Sequence, residues 1–161
     1  IGMSGNTQFP HLHISVRMDK QVVNPFSGPC SPSQNYLWEN RINYTGTRML
    51  KSGFVAAPPT LQSIESGEST GLQTTSEALL FWANIVGIKA GDEQEIIITG
   101  PDDRAVAQNT QIIKQSKVNW LSYIGKKTPK SGWPSGTYYG TYRLRRDAET
   151  IVEETLSTVV H

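Results

Sequence analysis

The chain has 161 residues, enough for one ordinary domain or for part of one domain joined to a second. With 18% charged and 37% hydrophobic residues, 14 Gly and 9 Pro, its composition suits a soluble, turn-rich β protein rather than a disordered or helical one. The balance of 15 Lys and Arg against 14 Asp and Glu gives no electrostatic reason to expect nucleic acid, and no stretch approaches the roughly 18 apolar residues of a membrane-spanning helix.

The sequence opens at Ile1 without a start Met, a charged leader or a signal-like segment, and reads as the middle of a longer protein. Residues 11 to 18 alternate strictly, with Leu12, Ile14, Val16 and Met18 on one side and His11, His13, Ser15 and Arg17 on the other. That period predicts a half-buried strand carrying two imidazoles on its polar face. Asp19-Lys20-Gln21 supplies a short polar connection, and Val22-Val23 begins a return strand that Pro25 keeps from continuing as a central strand, so a hairpin is expected. From Asn24 to Ser33, Pro, Gly, Ser and Cys dominate and mark a loop and a domain boundary, which divides the chain into residues 1–36 and 37–161. The lone Cys30 has no partner for an internal disulfide and sits in Gly28-Pro29-Cys30-Ser31-Pro32, where it reads as a loop thiol.

Arg48 to Ala57 reads as a strand entering a new unit and ended by Pro58-Pro59, and the polar stretch Gln62 to Thr75 as a long surface loop. Ala78 to Val86 is apolar on both faces, and Phe81, Trp82 and Ile85 favour a central strand over a buried helix. Glu95 to Thr99 is a clear strand that ends at the turn Gly100-Pro101-Asp102-Asp103, with a partner strand near Arg104 to Gln108. Farther on, Val118, Trp120, Ser122 and Ile124 share one face, as do Tyr138, Gly140, Tyr142 and Leu144. Asp147-Ala148-Glu149 then leads into a last strand from Thr150 to Val160, forming a hairpin. Six or seven short strands without a convincing amphipathic helix predict an all-β chain whose larger part is an antiparallel, immunoglobulin-like β-sandwich lacking the paired cysteines of antibody domains.

His11 and His13, at i and i+2 on a strand, point to the same side while Leu12 packs away from them. One ring can bind a metal while the other stays available for proton transfer or for stabilising an oxyanion. A catalytic zinc site takes three protein ligands and keeps a fourth position for water, so two His do not complete one. By spacing alone the pair fits surface or hydrogen-bonded imidazoles. His161, the last residue, reads as a frayed end and not as a third ligand.

The surrounding residues add more. Gly5-Asn6-Thr7-Gln8-Phe9-Pro10-His11-Leu12-His13-Ile14-Ser15-Val16-Arg17, followed by Val23-Asn24-Pro25-Phe26, resembles the closing motif of the lysostaphin/LytM family of zinc metallopeptidases. In that family a Ser-Gly-Asn-Thr-like loop leads into Pro-His-Leu-His on a strand, then an Arg, then a hairpin returning to Asp-Pro. Asn24 stands where the family usually has Asp, outside the metal site. The resemblance covers residues 1 to 27 and implies that they form the end of an open antiparallel metallopeptidase fold. It further implies that His13 is a zinc ligand and His11 the catalytic imidazole. The family's other zinc ligands, a His and an Asp, lie upstream of this motif, so the present chain alone is expected to bind zinc poorly and to be inactive. For the parent protein the resemblance implies hydrolysis of stem or cross-bridge peptides of bacterial peptidoglycan, in the periplasm or outside the cell.

The region from Leu37-Trp38 onward, with Phe81-Trp82, Thr99-Gly100-Pro101-Asp102, Trp120, Trp133 and Gly136-Thr137-Tyr138, looks like the domain that follows the peptidase in some proteobacterial members of this family. Trp120, Tyr123, Trp133, Tyr138, Tyr139 and Tyr142 lie close in sequence to Lys126, Lys127, Lys130, Arg143, Arg145 and Arg146. Such a mixture could grip a glycan strand or an acidic peptide, or the rings could fill the sandwich core beneath a charged surface. Two other functional readings are a non-catalytic regulator of wall hydrolases, which would need neither His11 nor His13, and a wall-binding β-sandwich in which His11-Leu12-His13 is fortuitous.

Overall fold

The computed structural model describes residues 14–23, 37–40, 46–66 and 71–161. Contacts divide the chain into two compact units, Ile1–Thr45 and Gly46–His161, whereas composition places the boundary after residue 36. Every strand pairing among the described residues is antiparallel, as expected of this antiparallel all-β chain.

In the first unit, β1 (Val16–Met18) pairs with β2 (Gln21–Val23), with Val16 opposite Val23 and Met18 opposite Gln21. The connection is only Asp19-Lys20, both at positive φ (49° and 67°). This is the two-residue turn whose twist matches that of the flanking strands, so the expected hairpin forms with Gln21 already in the return strand. The apolar side of the strand is buried only in part. Val23 is buried and Val16 half-buried, while Ile14 and Met18 are exposed. Leu12, His11 and His13 lie outside the described residues.

The second unit contains β3 (Arg48–Val55), α1 (Leu61–Ser66), β4 (Ala78–Ile88), β5 (Glu93–Thr99), β6 (Ala105–Ile112), β7 (Lys117–Lys127), β8 (Gly136–Arg146) and β9 (Glu149–Val160). They form two sheets, ordered β3-β4-β7 and β6-β5-β8-β9. In a constant-type immunoglobulin sandwich the fourth strand joins the sheet of the first, second and fifth. Here the fourth, β6, pairs with the third, β5, which makes the sheets three- and four-stranded.

Between the sheets, Leu79, Phe81, Ala83 and Ile85 of β4 meet Ile96 and Ile98 of β5 and Tyr138, Tyr142 and Leu144 of β8, all buried. Each fully buried aliphatic or phenyl side chain contributes about 1.5–3 kcal/mol, so this cluster dominates the unit's stability. Phe81 packs on Phe54 of β3 at 5.1 Å between ring centroids, and its ring lies against the backbone of Gly140, where a Cβ would collide with it. On the opposite face of β4, Leu80, Trp82 and Asn84 are also buried, which is why this segment shows no alternation in sequence.

A polar cluster crosses the core. Gln94 is fully buried; its Oε1 accepts from Trp120 Nε1 at 2.7 Å and from the Tyr142 hydroxyl at 3.2 Å, and its Nε2 donates to Ser122 Oγ at 2.9 Å. Burial raises the Tyr142 hydroxyl well above its ordinary pKa, with the Asp92 charge adding to the effect, so it stays a neutral donor. Near the start of β8, the Tyr138 hydroxyl donates to the Pro134 carbonyl at 2.9 Å, the corner contact typical of immunoglobulin-like sandwiches.

The stretch read as a polar loop holds a short helix. In α1 the Thr60 hydroxyl accepts from the Ser63 N–H at 3.1 Å while the Ser63 hydroxyl accepts from the Thr60 N–H at 2.9 Å, a reciprocal cap with Ser in place of the usual Glu or Gln. Ile64 is its buried anchor. A single helical turn with one apolar anchor is too short to show a 3.6-residue period in sequence.

The β8–β9 turn, Asp147-Ala148, repeats the positive-φ geometry, with φ 51° and 66°. Ala bears a left-handed penalty of about 1–2 kcal/mol there, partly offset because Gly loses more backbone entropy on folding. Ala148→Gly is therefore expected to raise stability by about 0.5–1 kcal/mol, read as a higher urea midpoint at unchanged slope; a lower midpoint would refute the assignment of strain to this turn.

Candidate functional site

Both imidazoles of the His-x-His pair, His11 and His13, and the thiol of Cys30 fall outside the described residues. Among the described residues no group of three or more His, Cys, Asp or Glu side chains is placed to hold a metal ion. His161 is not a frayed end. Its N–H donates to the Leu72 carbonyl at 3.4 Å and its carbonyl accepts from the Thr74 N–H at 2.9 Å, while its side chain is exposed.

The aromatic and basic residues of the carboxy-terminal strands do not converge. Tyr138, Tyr142 and Trp133 are core residues, with the Trp133 and Tyr138 rings edge-to-face at 6.3 Å and Trp133 Nε1 donating to Thr128 Oγ1 at 2.9 Å. Trp120 is half-buried and committed to Gln94. The exposed rings, Tyr123 and Tyr139, lie on the outer faces of different sheets, because their neighbours Ser122 and Tyr138 point between the sheets.

The arginines are engaged in ion pairs. Arg143 bridges Glu95 at 2.6 Å and Glu153 at 2.7 Å across three strands, and Arg145 meets Glu93 at 3.3 Å. Lys126, Lys127 and Lys130 are exposed and have no ion-pair partner among the described residues. Of the two readings the sequence leaves open, the structure has the filled core, with a cross-strand charge ladder and solvated lysines at the end of β7 and in the loop after it.

Asp92, 1% exposed, is the most buried charge described, and its two oxygens receive Arg146 Nε at 2.7 Å and Arg146 Nη2 at 2.8 Å. The Lys89 N–H also donates to Asp92 at 2.8 Å, and Arg146 Nη2 reaches Thr47 Oγ1 at 3.1 Å. This knot ties the β4–β5 turn and the end of β8 to the residue before β3. Burial pushes the Asp92 carboxyl up, but the Arg146 fork and the Lys89 N–H outweigh it and hold the pKa below its ordinary value. The knot is structural.

A different feature has the character of a binding site. A groove of about 650 Å³ runs between β3, the edge of the three-stranded sheet, and β9, the edge of the four-stranded sheet, with the Pro58-Pro59 turn, α1 and Leu72 also lining it. Ser52 Oγ of one edge donates to Glu154 Oε1 of the other at 2.8 Å. The groove's lining also includes Lys51, which is exposed, and Trp82, which is buried and whose Nε1 has no hydrogen-bond partner among the described residues. None of these residues is marked by a sequence motif; the only signal available was the unusual Gly53 within a strand. A second cleft, of about 500 Å³, lies between the β5–β6 turn and the β7–β8 loop, and its lining includes three prolines, Trp133, Tyr138, Asp102 and Arg104.

No family model matches the chain, and no curated protein matches it. Among solved structures, it is similar to a protein described as a β-galactosidase from Bacteroides fragilis, at 17% identity and a TM-score of 0.35 over 50% of this chain and 13% of that one. It is likewise similar to a Bifidobacterium dentium β-glucuronidase complexed with coumarin-3-O-glucuronide, at 13% identity and a TM-score of 0.38 over 71% of this chain and 17% of that one. The chain thus spans less than a fifth of either protein, and at these TM-scores neither likeness defines its fold or its function.

Because the folded-state pKa of Asp92 is depressed, its contribution is fully present above the unfolded value near 4 and is lost as pH falls through the folded value. Asp92→Asn is expected to cost about 3 kcal/mol at pH 7 by leaving Arg146 unpaired, and to flatten the acid limb of the stability profile below about pH 4. Denaturant midpoints at pH 7 and pH 3 check both; an unchanged acid limb would show that other carboxylates carry it.

Proposed function

We propose that this chain is the carboxy-terminal part of a zinc metalloendopeptidase that hydrolyses peptide bonds of bacterial peptidoglycan in the periplasm or outside the cell, followed by a non-catalytic β-sandwich. The observation that carries the reading is the run Pro10-His11-Leu12-His13-Ile14-Ser15-Val16-Arg17 leading straight into a hairpin. Its tight Asp19-Lys20 turn and its return strand ending at Val23, just before Asn24-Pro25, support the resemblance to the closing strand and hairpin of the lysostaphin/LytM family. In this reading His13 is a zinc ligand, and His11 holds or moves a proton beside the scissile peptide or stabilises the oxyanion. Bound zinc would supply a water acidified to near neutral pH. The remaining ligands, a His and an Asp, would come from chain upstream of Ile1.

Hydrolysis of purified sacculi by the longer protein, followed by release of soluble peptides, is the test. His13→Ala is expected to lower zinc occupancy and activity together. His11→Ala is expected to retain zinc and lose about 10²–10⁴-fold in turnover, the range of a general acid–base group. Wild-type release by both variants would refute the peptidase reading. For residues 1–161 alone, calorimetry is expected to show weak zinc binding; tight stoichiometric binding would contradict the need for upstream ligands.

A non-catalytic regulator of other wall hydrolases is the second reading. Retention of both His11 and His13 favours the enzyme over it. Stimulation of another hydrolase by a protein inert on sacculi would favour the regulator.

A further inference from the structure

We infer that the free edge of β6 is a self-association surface, on which a second copy of this chain pairs antiparallel about a two-fold axis at Thr110 and joins the two four-stranded sheets into one. The contact belongs to the sandwich alone and does not depend on the peptidase reading.

The first ground is a contrast among the edge strands of the sandwich, β3, β7, β6 and β9. An open edge is normally kept from pairing by charge, Pro or a bulge. Along β3 stand Arg48, Lys51 and a register shift between Met49 and Lys51; along β7, Lys117, Lys126 and Lys127; along β9, Glu149, Glu153 and Glu154. From Ala105 to Ile112, β6 has no charged residue and no Pro. Its register shift lies at the Ala105 end, opposite Ile98 and Thr99, and leaves the rest of the strand straight in register.

The second ground is access. Among the described residues β6 pairs with β5 alone. Val106 and Ala107 lean on the core, but residues 108–112 are all exposed, on both faces of the strand. β7 approaches β6 from the facing sheet without covering that half. The Ile113 N–H donates to the Asp92 carbonyl at 2.8 Å, and the Ile113 carbonyl accepts from the Gly91 N–H at 2.9 Å, so the backbone of Ile113 faces the β5 side. Backbone groups in an antiparallel ladder alternate in direction, which turns the N–H and C=O of Gln108, Thr110 and Ile112 to the open side.

The third ground is self-complementarity. The open groups are centred on Thr110, and an antiparallel copy centred there sets Thr110 against Thr110, Gln108 against Ile112 and Asn109 against Gln111. Every outward N–H and C=O of that half then meets a partner, and no charge opposes a like charge. Thr110 shares the outer sheet face with Thr141 and Thr155, whose hydroxyls already meet at 2.9 Å across β8 and β9; the two-fold repeats this cross-strand contact. An acidic or basic peptide would find no counter-charge along β6, which favours an uncharged strand identical to itself. Because the glutamates of β9 guard the other edge of the sheet, assembly closes at two copies and does not run on into a fibre.

Sedimentation velocity of the 161-residue chain tests this, in reducing buffer so that Cys30 forms no intermolecular disulfide. The chain is expected to pass from monomer to dimer with a dissociation constant of about 10–500 µM, because a single strand pair is small for a specific interface. Thr110→Lys sets two cations together at the axis and is expected to weaken the dimer roughly tenfold or more, whereas Ser157→Lys, on β9, changes nothing. Amide exchange read residue by residue supplies a second measurement on the unaltered protein. The N–H groups of Gln108 and Thr110 are expected to exchange more slowly as concentration rises, while those of Asn109 and Gln111, directed at β5, are protected at every concentration. A chain that stays monomeric up to about 1 mM, the weak limit of specific association, would overturn the proposal. So would a dimer that survives Thr110→Lys, or assembly that continues beyond two copies.

Discussion

The sandwich depends on the burial of β4 on both faces. Leu79, Phe81, Ala83 and Ile85 face the four-stranded sheet while Leu80, Trp82 and Asn84 are buried on the other side. A strand placed so must be central, and β3 and β7 accordingly flank it. Because the interior is close-packed, a ring as large as that of Phe81 requires space opposite, and Gly140 in the middle of β8 supplies it. The two sheets are thus indexed to each other by one large and one absent side chain. Shifting β8 by one residue would set Tyr139 or Thr141 against the phenyl ring and turn Tyr138, Tyr142 and Leu144 out to solvent.

Polar interactions refine what burial begins. Gln94 is satisfied on both sides of its amide by partners from the facing sheet, Trp120 and Ser122, and from its own, Tyr142. Any other register would leave a buried amide unpaired, so the cluster discriminates among packings more than it adds stability. The Asp92–Arg146 knot does the same at the end of the sandwich, and the Tyr138–Pro134 bond fixes the corner entering β8.

Much of the architecture was legible in the sequence, because strand periodicity and turn chemistry are local. The alternation of Tyr138, Gly140, Tyr142 and Leu144 correctly marks an inward face, and Asp147-Ala148 correctly marks a hairpin. The Thr60–Ser63 cap was missed because Ser at the third helical position is a weak signal, and α1 is a single turn. The proximity of aromatics and cations in sequence left a gripping surface and a filled core both open, and the core holds for Tyr138, Tyr142 and Trp133 for a physical reason. Alternation sends Tyr138 and Tyr142 inward and Arg143 and Arg145 outward, so neighbours along a strand stand on opposite surfaces. The groove was illegible because it is assembled from the edges of two sheets, and Glu154 meets Ser52 across 102 residues.

The lone indole N–H of Trp82 has an optical consequence. Indole emission responds to hydrogen bonding at that nitrogen, and the two other tryptophans of the sandwich, Trp120 and Trp133, already have their N–H groups bonded within the core. Within the sandwich a change in tryptophan fluorescence without unfolding would therefore come chiefly from Trp82, once Trp38 of the first unit is replaced by Phe. The sandwich thus carries one chromophore beside the groove whose buried nitrogen would report a rearrangement of its own surroundings.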